Sequence, residues 1–276
     1  MTALMQTGKG NISMLGQLAK QQPTTDETIL SVKGLEVNFD GFKALRNLDF
    51  SLQQGELRFL IGPNGAGKTT LLDVICGKVK PSQGHVIFKD SIDLTKHQEH
   101  QIAQLGIGRK FQAPTVFSTL TVFENLALSM KQQRGLLSAL WAKTTNEQRE
   151  RLQVRLDMIG LTSKVKERAG SLSHGEKQWL EIGMLLMQEP DLLLLDEPAA
   201  GMTDRETEKT GELLHEIAAN QTIIVVEHDM AFVRQFARMV TVLHEGTVLR
   251  EGTMQDIQND DKVAEVYLGR RVERGA

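Results

Sequence analysis

Apolar residues in the first part of the chain fall in short alternating runs bounded by turn residues. They predict strands over Ile29–Phe39, Ala44–Leu52, Glu56–Ile61 and Gly84–Phe88. Glu99–Leu105 has the spacing of a short helix and leads into a further apolar stretch, Ile107–Phe111. The pattern then changes. Residues 115–187 contain no stretch of strand character, while Val122–Leu128 and Asn146–Ile159 repeat at helical spacing, the second with charges on its outer face. Strand-like runs return at Leu192–Leu195, Thr222–Val226, Met239–His244 and Thr247–Arg250, separated by helices such as Asp204–Ala219 and closed by a helix at Asp261–Leu268. Strands alternating with helices predict an α/β fold with a largely parallel sheet and ligands at the strands' carboxyl ends. The expected organisation is a polar, flexible tail over 1–27, a core from 28–112 and 177–269 that includes a β subdomain, and a helical insertion over 113–176.

Bulk properties narrow the choice of partners. A net charge of −3 over 276 residues gives no electrostatic signature of a nucleic-acid partner. The single cysteine, Cys76, cannot form an internal disulfide and fits a reducing compartment. No run of 18 apolar residues is present, and the first ten residues lack the apolar region of a signal peptide, so a membrane role is expected to come through a partner.

The strongest chemical signal follows the predicted strand Glu56–Ile61. Gly62-Pro63-Asn64-Gly65-Ala66-Gly67-Lys68-Thr69-Thr70 carries glycines at the first and sixth positions and then Lys-Thr, leading into an apolar helical segment that ends at Gly77. Glycines let backbone N–H groups turn inward around a polyphosphate, and the helix that follows aims its positive end at the same anion. Lys68 can reach the outer phosphates, and the Thr69 hydroxyl can ligate Mg²⁺. This stretch predicts a nucleoside triphosphate site.

Further candidates lie downstream. The apolar run Leu192–Leu195 delivers Asp196 and Glu197 at its end. In an NTPase the first would hold Mg²⁺ and the second would polarise the attacking water; the plain alternative is an acidic cap for the next helix. Gln112, at the junction of core and insertion, offers a neutral amide to Mg²⁺ or the attacking water. His228, just after Thr222–Val226, could donate a hydrogen bond to a γ-phosphate. Taken singly, a Gln or a His is more often structural. Ser173, before a long helical pattern, is an N-cap candidate; the functional alternative is that its hydroxyl and the Gly175 amide bind phosphate. His97, Glu99 and His100 have no companion ligands in sequence, which favours solvated surface over a metal site.

In order and spacing, the phosphate loop, Gln112, the Leu-Ser-His-Gly-Glu stretch at 172–176, Asp196-Glu197 and His228 resemble the ATP-binding cassette of ABC transporters over about residues 28–269. The resemblance implies a P-loop NTPase with a RecA-like core, an antiparallel β subdomain and a helical insertion. It implies that Ser173, Gly175 and Glu176 serve the ATP held by a facing cassette, so that two cassettes, identical or more often related, enclose two ATPs. Phe39 is implied to stack on adenine, and Ala199–Asp204 to form the loop crossing the interface. Two membrane permeases, an external substrate-binding protein and a place on the cytoplasmic face of the inner membrane are also implied, with no role for nucleic acid.

The usual signature is Leu-Ser-Gly-Gly-Gln, so His174 and Glu176 depart from it, and Phe39 replaces the commoner tyrosine. Finer stretches, Arg109–Gln112, Leu172–Leu186 and Glu197–Asp204, are similar to the urea branch of the branched-chain amino-acid and urea importers. Gly108–Gln112, Leu120–Asn125 and Val266–Gly269 are similar to that wider group. For the apolar segment Leu136–Leu140 with Trp141, core packing is the default expectation; its place in the insertion and the flanking Lys131, Arg134 and Lys143 are also compatible with a surface toward a membrane partner. The competing expectation is a soluble ABC ATPase acting on DNA, ribosomes or metal-cluster assembly. Two cassettes in one chain or a long coiled coil would favour it, and the sequence carries neither.

Overall fold

The computed structural model describes residues 27–110, 115–130 and 145–268. Gln112, the tail before residue 27, the segment around Trp141 and Gly269 lie outside these residues. In chain order the first strands are β1 (Thr28–Phe39), β2 (Phe42–Gln53) and β3 (Leu57–Ile61), followed by helix α1 (Lys68–Ile75). Strands β4 (Gln83–Phe88) and β5 (Ile92–Asp93), helix α2 (Glu99–Gln104) and strand β6 (Ile107–Lys110) come next. Helices α3 (Val122–Ser129), α4 (Asn146–Met158) and α5 (His174–Leu186) precede β7 (Leu192–Asp196) and α6 (Asp204–Ala218). The chain continues through β8 (Thr222–Val226), α7 (Met230–Phe236), β9 (Met239–His244), β10 (Thr247–Gly252), α8 (Met254–Gln258) and α9 (Asp261–Leu268).

Two sheets result. One is antiparallel with strand order β2-β1-β4-β5. The other has order β10-β9-β3-β8-β7-β6 and is parallel except for the β9–β10 hairpin. Strands β3, β7 and β8 are buried at every position, as their mostly apolar residues require when both faces of a parallel sheet are covered; the one charge inside β3, Arg58, is paired with Glu56 and Glu251.

The two faces sort with period two. Leu57, Phe59, Ile61, Leu193, Leu195, Ile223 and Val225 pack with residues of α3 to α7 in one hydrophobic cluster. Leu60, Leu192, Leu194, Ile224 and Val226 pack instead with α1 and the antiparallel sheet. Truncating Leu193 or Leu194 to Ala would therefore open a cavity on one face or the other, at a cost of about 2–5 kcal/mol.

Helix α5 runs unbroken from His174 to Leu186, so the expected division between residues 176 and 177 falls inside a helix rather than in a linker. The reason lies in the packing: Trp179, Leu180, Ile182 and Leu186 of this helix share one core with α3, α4 and the sheet. Because β3, β6, β7 and β8 are parallel neighbours, their carboxyl ends lie along one edge. That edge receives the phosphate loop, Arg109-Lys110, Asp196-Glu197 and Glu227-His228.

Candidate functional site

The loop after β3 is shaped by close approach. A Cβ on Gly62 (φ +154°) would strike the Leu243 carbonyl oxygen. One on Gly67 (φ +103°) would lie 2.7 Å from Leu45 Cδ2 and 2.8 Å from the Ala44 carbonyl oxygen. Gly67 is the N-cap of α1. It supplies no side-chain cap, and the first turn holds no acid, so the amides around Lys68, Thr69 and Thr70 are left for an external anion. By contrast, α3, α4, α5, α6 and α8 all close their first turn with a Ser or Thr capping box. Pro63 closes the loop by accepting from the Ala66 amide at 3.1 Å, while Asn64, Gly65 and Thr69 are exposed. Lys68 Nζ donates to the carbonyls of Gly62 (2.7 Å) and Pro63 (3.1 Å), which holds the ammonium over the loop. Burial lowers its pKa, and Glu197 and Asp196 nearby oppose that shift.

Asp196, at the end of β7, is 2% exposed. Burial raises its pKa, and the Arg109 guanidinium opposes the rise, with Nη2 at 3.8 Å from Oδ2. Arg109 also reaches Asp73 Oδ1 at 2.6 Å and Cys76 Sγ at 3.0 Å, so one buried cation joins β6, α1 and the end of β7. Asp196 Oδ1 is buried without a hydrogen-bond partner among the described residues. An orphaned carboxylate oxygen at the sheet edge that carries this loop, with its charge felt by Lys68, suits a hard divalent cation such as Mg²⁺.

Glu197 holds a left-handed backbone (φ +49°), its amide donating to the Val226 carbonyl at 2.9 Å. Its Oε1 lies 3.3 Å from His228 Nδ1. The two residues are therefore brought together from neighbouring strands, as a water-activating pair requires. Gln112 is not described, but Lys110 and Thr115 on either side of it both contact Glu181 of α5. Lys110 Nζ lies 3.9 Å from Oε2, while the Thr115 amide and hydroxyl donate to Oε1 at 3.2 and 2.7 Å. Burial raises the Glu181 pKa and lowers that of Lys110.

The predicted N-cap at Ser173 is present: its Oγ accepts from the Glu176 amide at 3.2 Å, and Glu176 Oε2 accepts from the Ser173 amide at 3.0 Å. The same hydroxyl donates to Glu206 Oε1 at 3.1 Å, and Gly175 packs directly beneath the Glu206 carboxylate. Glu176 is paired with Lys164 at 2.8 Å. Burial would raise its pKa, but Lys164 and the Ser173 amide hold the carboxyl below the usual range. His174 Nε2 lies 3.1 Å from the Ala200 carbonyl oxygen, which ties this helix start to the loop after β7.

Phe39 ends β1 directly opposite Phe42, and both rings are exposed, Phe39 by 47%. The intervening turn, Asp40-Gly41, is left-handed at both residues, and Asn38 Oδ1 accepts from the Gly41 amide at 2.9 Å.

Three residues that frame the site are not among the sequence candidates for its chemistry: Arg109, Glu206 and Glu227. The last is buried behind His228 and accepts amides from Ala199 and His228. In sequence Arg109 and Glu227 show only as charges inside or beside otherwise apolar strand ends, and Glu206 only as the last residue of a Thr-x-x-Glu capping box that opens α6. His97 Nδ1 is held by the Asp93 carbonyl at 2.9 Å, and among the described residues no cluster of His, Cys, Asp and Glu has the form of a metal site.

The chain is similar to known proteins over most of its length. The family described as ABC transporter matches residues 45–200. The high-affinity branched-chain amino acid transport ATP-binding protein LivG of Escherichia coli (strain K12) is 37% identical over 88% of this chain and 98% of its own. The ADP conformation of MJ1267, an ATP-binding cassette of an ABC transporter, superposes with a TM-score of 0.77 at 30% identity, covering 88% of this chain and 99% of that one. The dimeric post-hydrolysis state of the cassette MJ0796, bound to ADP and Pi, superposes with a TM-score of 0.69 at 26% identity over 82% and 99%.

Proposed function

Since the chain belongs to the ABC transporter family as one of its ATP-hydrolysing cassettes, we propose that it is the motor subunit of an importer, held at the cytoplasmic face of the inner membrane by permease subunits. The carrying observation is that an uncapped phosphate cradle, a buried carboxylate with a spare oxygen and the Glu197–His228 pair share one sheet edge. In this reading the backbone from Gly62 to Thr70 and the Lys68 ammonium hold the β- and γ-phosphates of ATP, and Phe39 stacks on the base. Thr69, Asp196 and Gln112 would hold Mg²⁺, which screens the phosphate charge when bound. Glu197 takes a proton from the attacking water as its oxygen bonds to the γ-phosphorus and the bond to the β-phosphate oxygen breaks. His228 donates to the γ-phosphate and keeps Glu197 in position.

Ser173, Gly175 and Glu176 are proposed to meet the γ-phosphate of the ATP held by a second cassette, identical or related. The dimeric post-hydrolysis structure of the cassette MJ0796 supports such a pairing. Lys164 offsets the extra carboxylate that Glu176 brings to that contact. Residues 113–176 form the part proposed to transmit closure to two permeases, with an external binding protein delivering cargo to them.

Urea or another short amide is the proposed cargo, on the stretches Arg109–Gln112 and Leu172–Leu186. Branched-chain amino acids are the second reading, favoured by the name of the relative LivG.

Recovery of tagged protein from detergent-solubilised membranes tests the importer reading. Co-purification of two permease-type membrane proteins and a second cassette is expected. Recovery of ribosomes or nucleic acid instead would move the same ATPase to a soluble task. Loss of growth on limiting urea after deletion of the gene supports the first cargo; loss of leucine uptake supports the second.

A further inference from the structure

Glu227 is the first residue after β8, is 1% exposed, and carries its carboxylate into the space between two functional turns. Its Oε1 accepts from the Ala199 amide at 3.2 Å, two residues beyond Glu197, and its Oε2 accepts from the His228 amide at 3.3 Å. Its own amide donates to the Leu60 carbonyl at 3.4 Å, in the strand that enters the phosphate loop. The Glu197 amide and Val226 carbonyl add a further bond between the same two strand exits, at 2.9 Å. Past Glu197 the chain closes a turn, the Ala200 amide donating to the Glu197 carbonyl at 3.2 Å. Ala199, Glu227 and His228 then line one cavity of about 480 Å³ with Met202 and Asp229.

We propose that Glu227 is a positioning residue for hydrolysis: its two carboxylate oxygens clamp the turn that carries Glu197 to the turn that carries His228 and so fix the pair at contact distance. This rests on the roles given above to Glu197 and His228. The chemistry of the clamp is specific. A carboxylate accepts at both oxygens, whereas a glutamine in the same place accepts at one and sets an NH₂ against the second backbone amide. A hydrophobic replacement of equal size would leave both amides unsatisfied. Burial pushes the Glu227 carboxyl up, opposed by the two amides that bond it, so ionisation and the two bonds support each other.

The test is a double-mutant cycle on the full chain, read as steady-state ATP hydrolysis with Tm measured alongside. Glu227→Gln is expected to lower kcat about tenfold or more while the KM for ATP changes less than about twofold. In a His228→Ala background the same change is expected to have little further effect on kcat, because the clamp then has no His228 to place. A purely structural acid would instead lower Tm and depress activity equally in both backgrounds. That outcome, or an unchanged kcat in Glu227→Gln, overturns the proposal. If Glu227→Gln does not fold, Glu227→Asp keeps the charge, shortens the reach by one methylene and carries the same expectation. An unchanged kcat in His228→Ala alone contradicts the role given to His228, and the clamp with it. A lowered kcat there, with Glu227→Gln silent, removes the clamp and leaves the site reading standing.

Discussion

His228 Nδ1 lies 3.3 Å from Glu197 Oε1, although 31 residues separate the two in sequence. The contact exists because β7 and β8 are parallel neighbours in register, Asp196 opposite Val226, so that their exit turns meet. Sheet topology therefore places the pair proposed for hydrolysis together before any ligand arrives. The strand ends bring the groups together, and the left-handed Glu197 backbone turns the chain away from the strand just past Asp196.

Replacing Gly67 by Ala tests the phosphate cradle. The new methyl would sit in a left-handed backbone with the Ala44 carbonyl oxygen 2.8 Å away, and a carbonyl in β2 cannot retreat as the Leu45 side chain can. A destabilisation of about 1–3 kcal/mol is expected, a Tm fall of several degrees for a chain of this size. The parent protein should gain about 2.7 kcal/mol of stability when ATP stands at a hundred times its Kd. Thermal melts with and without nucleotide should show that gain lost in Gly67→Ala.

Arg109→Met removes the cation that lies among Asp73, Cys76 and Asp196. The buried Asp196 and the half-buried Asp73 then lose their shared partner, and a loss of about 3 kcal/mol in urea unfolding is expected. Arg109→Lys should recover only part of it, since a single ammonium cannot reach both Asp73 and Asp196 in the way a guanidinium does.

Lys164→Met tests how the departure at Glu176 is offset. Glu176 has its pKa depressed in the folded protein, so the associated stability is present above the ordinary glutamate range. It is lost as pH falls through the depressed value. The variant should melt about 1–2 °C lower at pH 7, and the gap should narrow and close as pH falls below the ordinary glutamate range. A gap independent of pH would mean that Lys164 acts by packing alone.

Much of the architecture was legible from local pattern. Thr222–Val226, Met239–His244 and Asp261–Leu268 have the bounds that hydrophobic runs and turn residues mark. The phosphate loop is read from contiguous residues, and Ser173 announces its helix through a local cap. What escaped is non-local. Glu227 looks like one more charge after a strand until Ala199 is seen to donate to it across 28 residues. Glu206 reaches Ser173 across 33, and its own capping-box position on α6 gives an ordinary reason for its presence. Arg109 lies in a strand whose neighbours are chosen by sheet order. The two-residue strand β5 is too short for a periodic signal, and the shared core of α5 with the sheet hid the continuity across residues 176 and 177.

The most direct measurement is phosphate release and ATP affinity of Glu197→Gln, with size-exclusion chromatography in ATP and Mg²⁺. The amide keeps the shape but cannot take the proton, so turnover should fall by at least about 100-fold. ATP affinity should stay within about threefold of the parent, and an ATP-bound cassette dimer should accumulate. Hydrolysis at the parental rate would contradict the general-base role of Glu197 and the mechanism built on it.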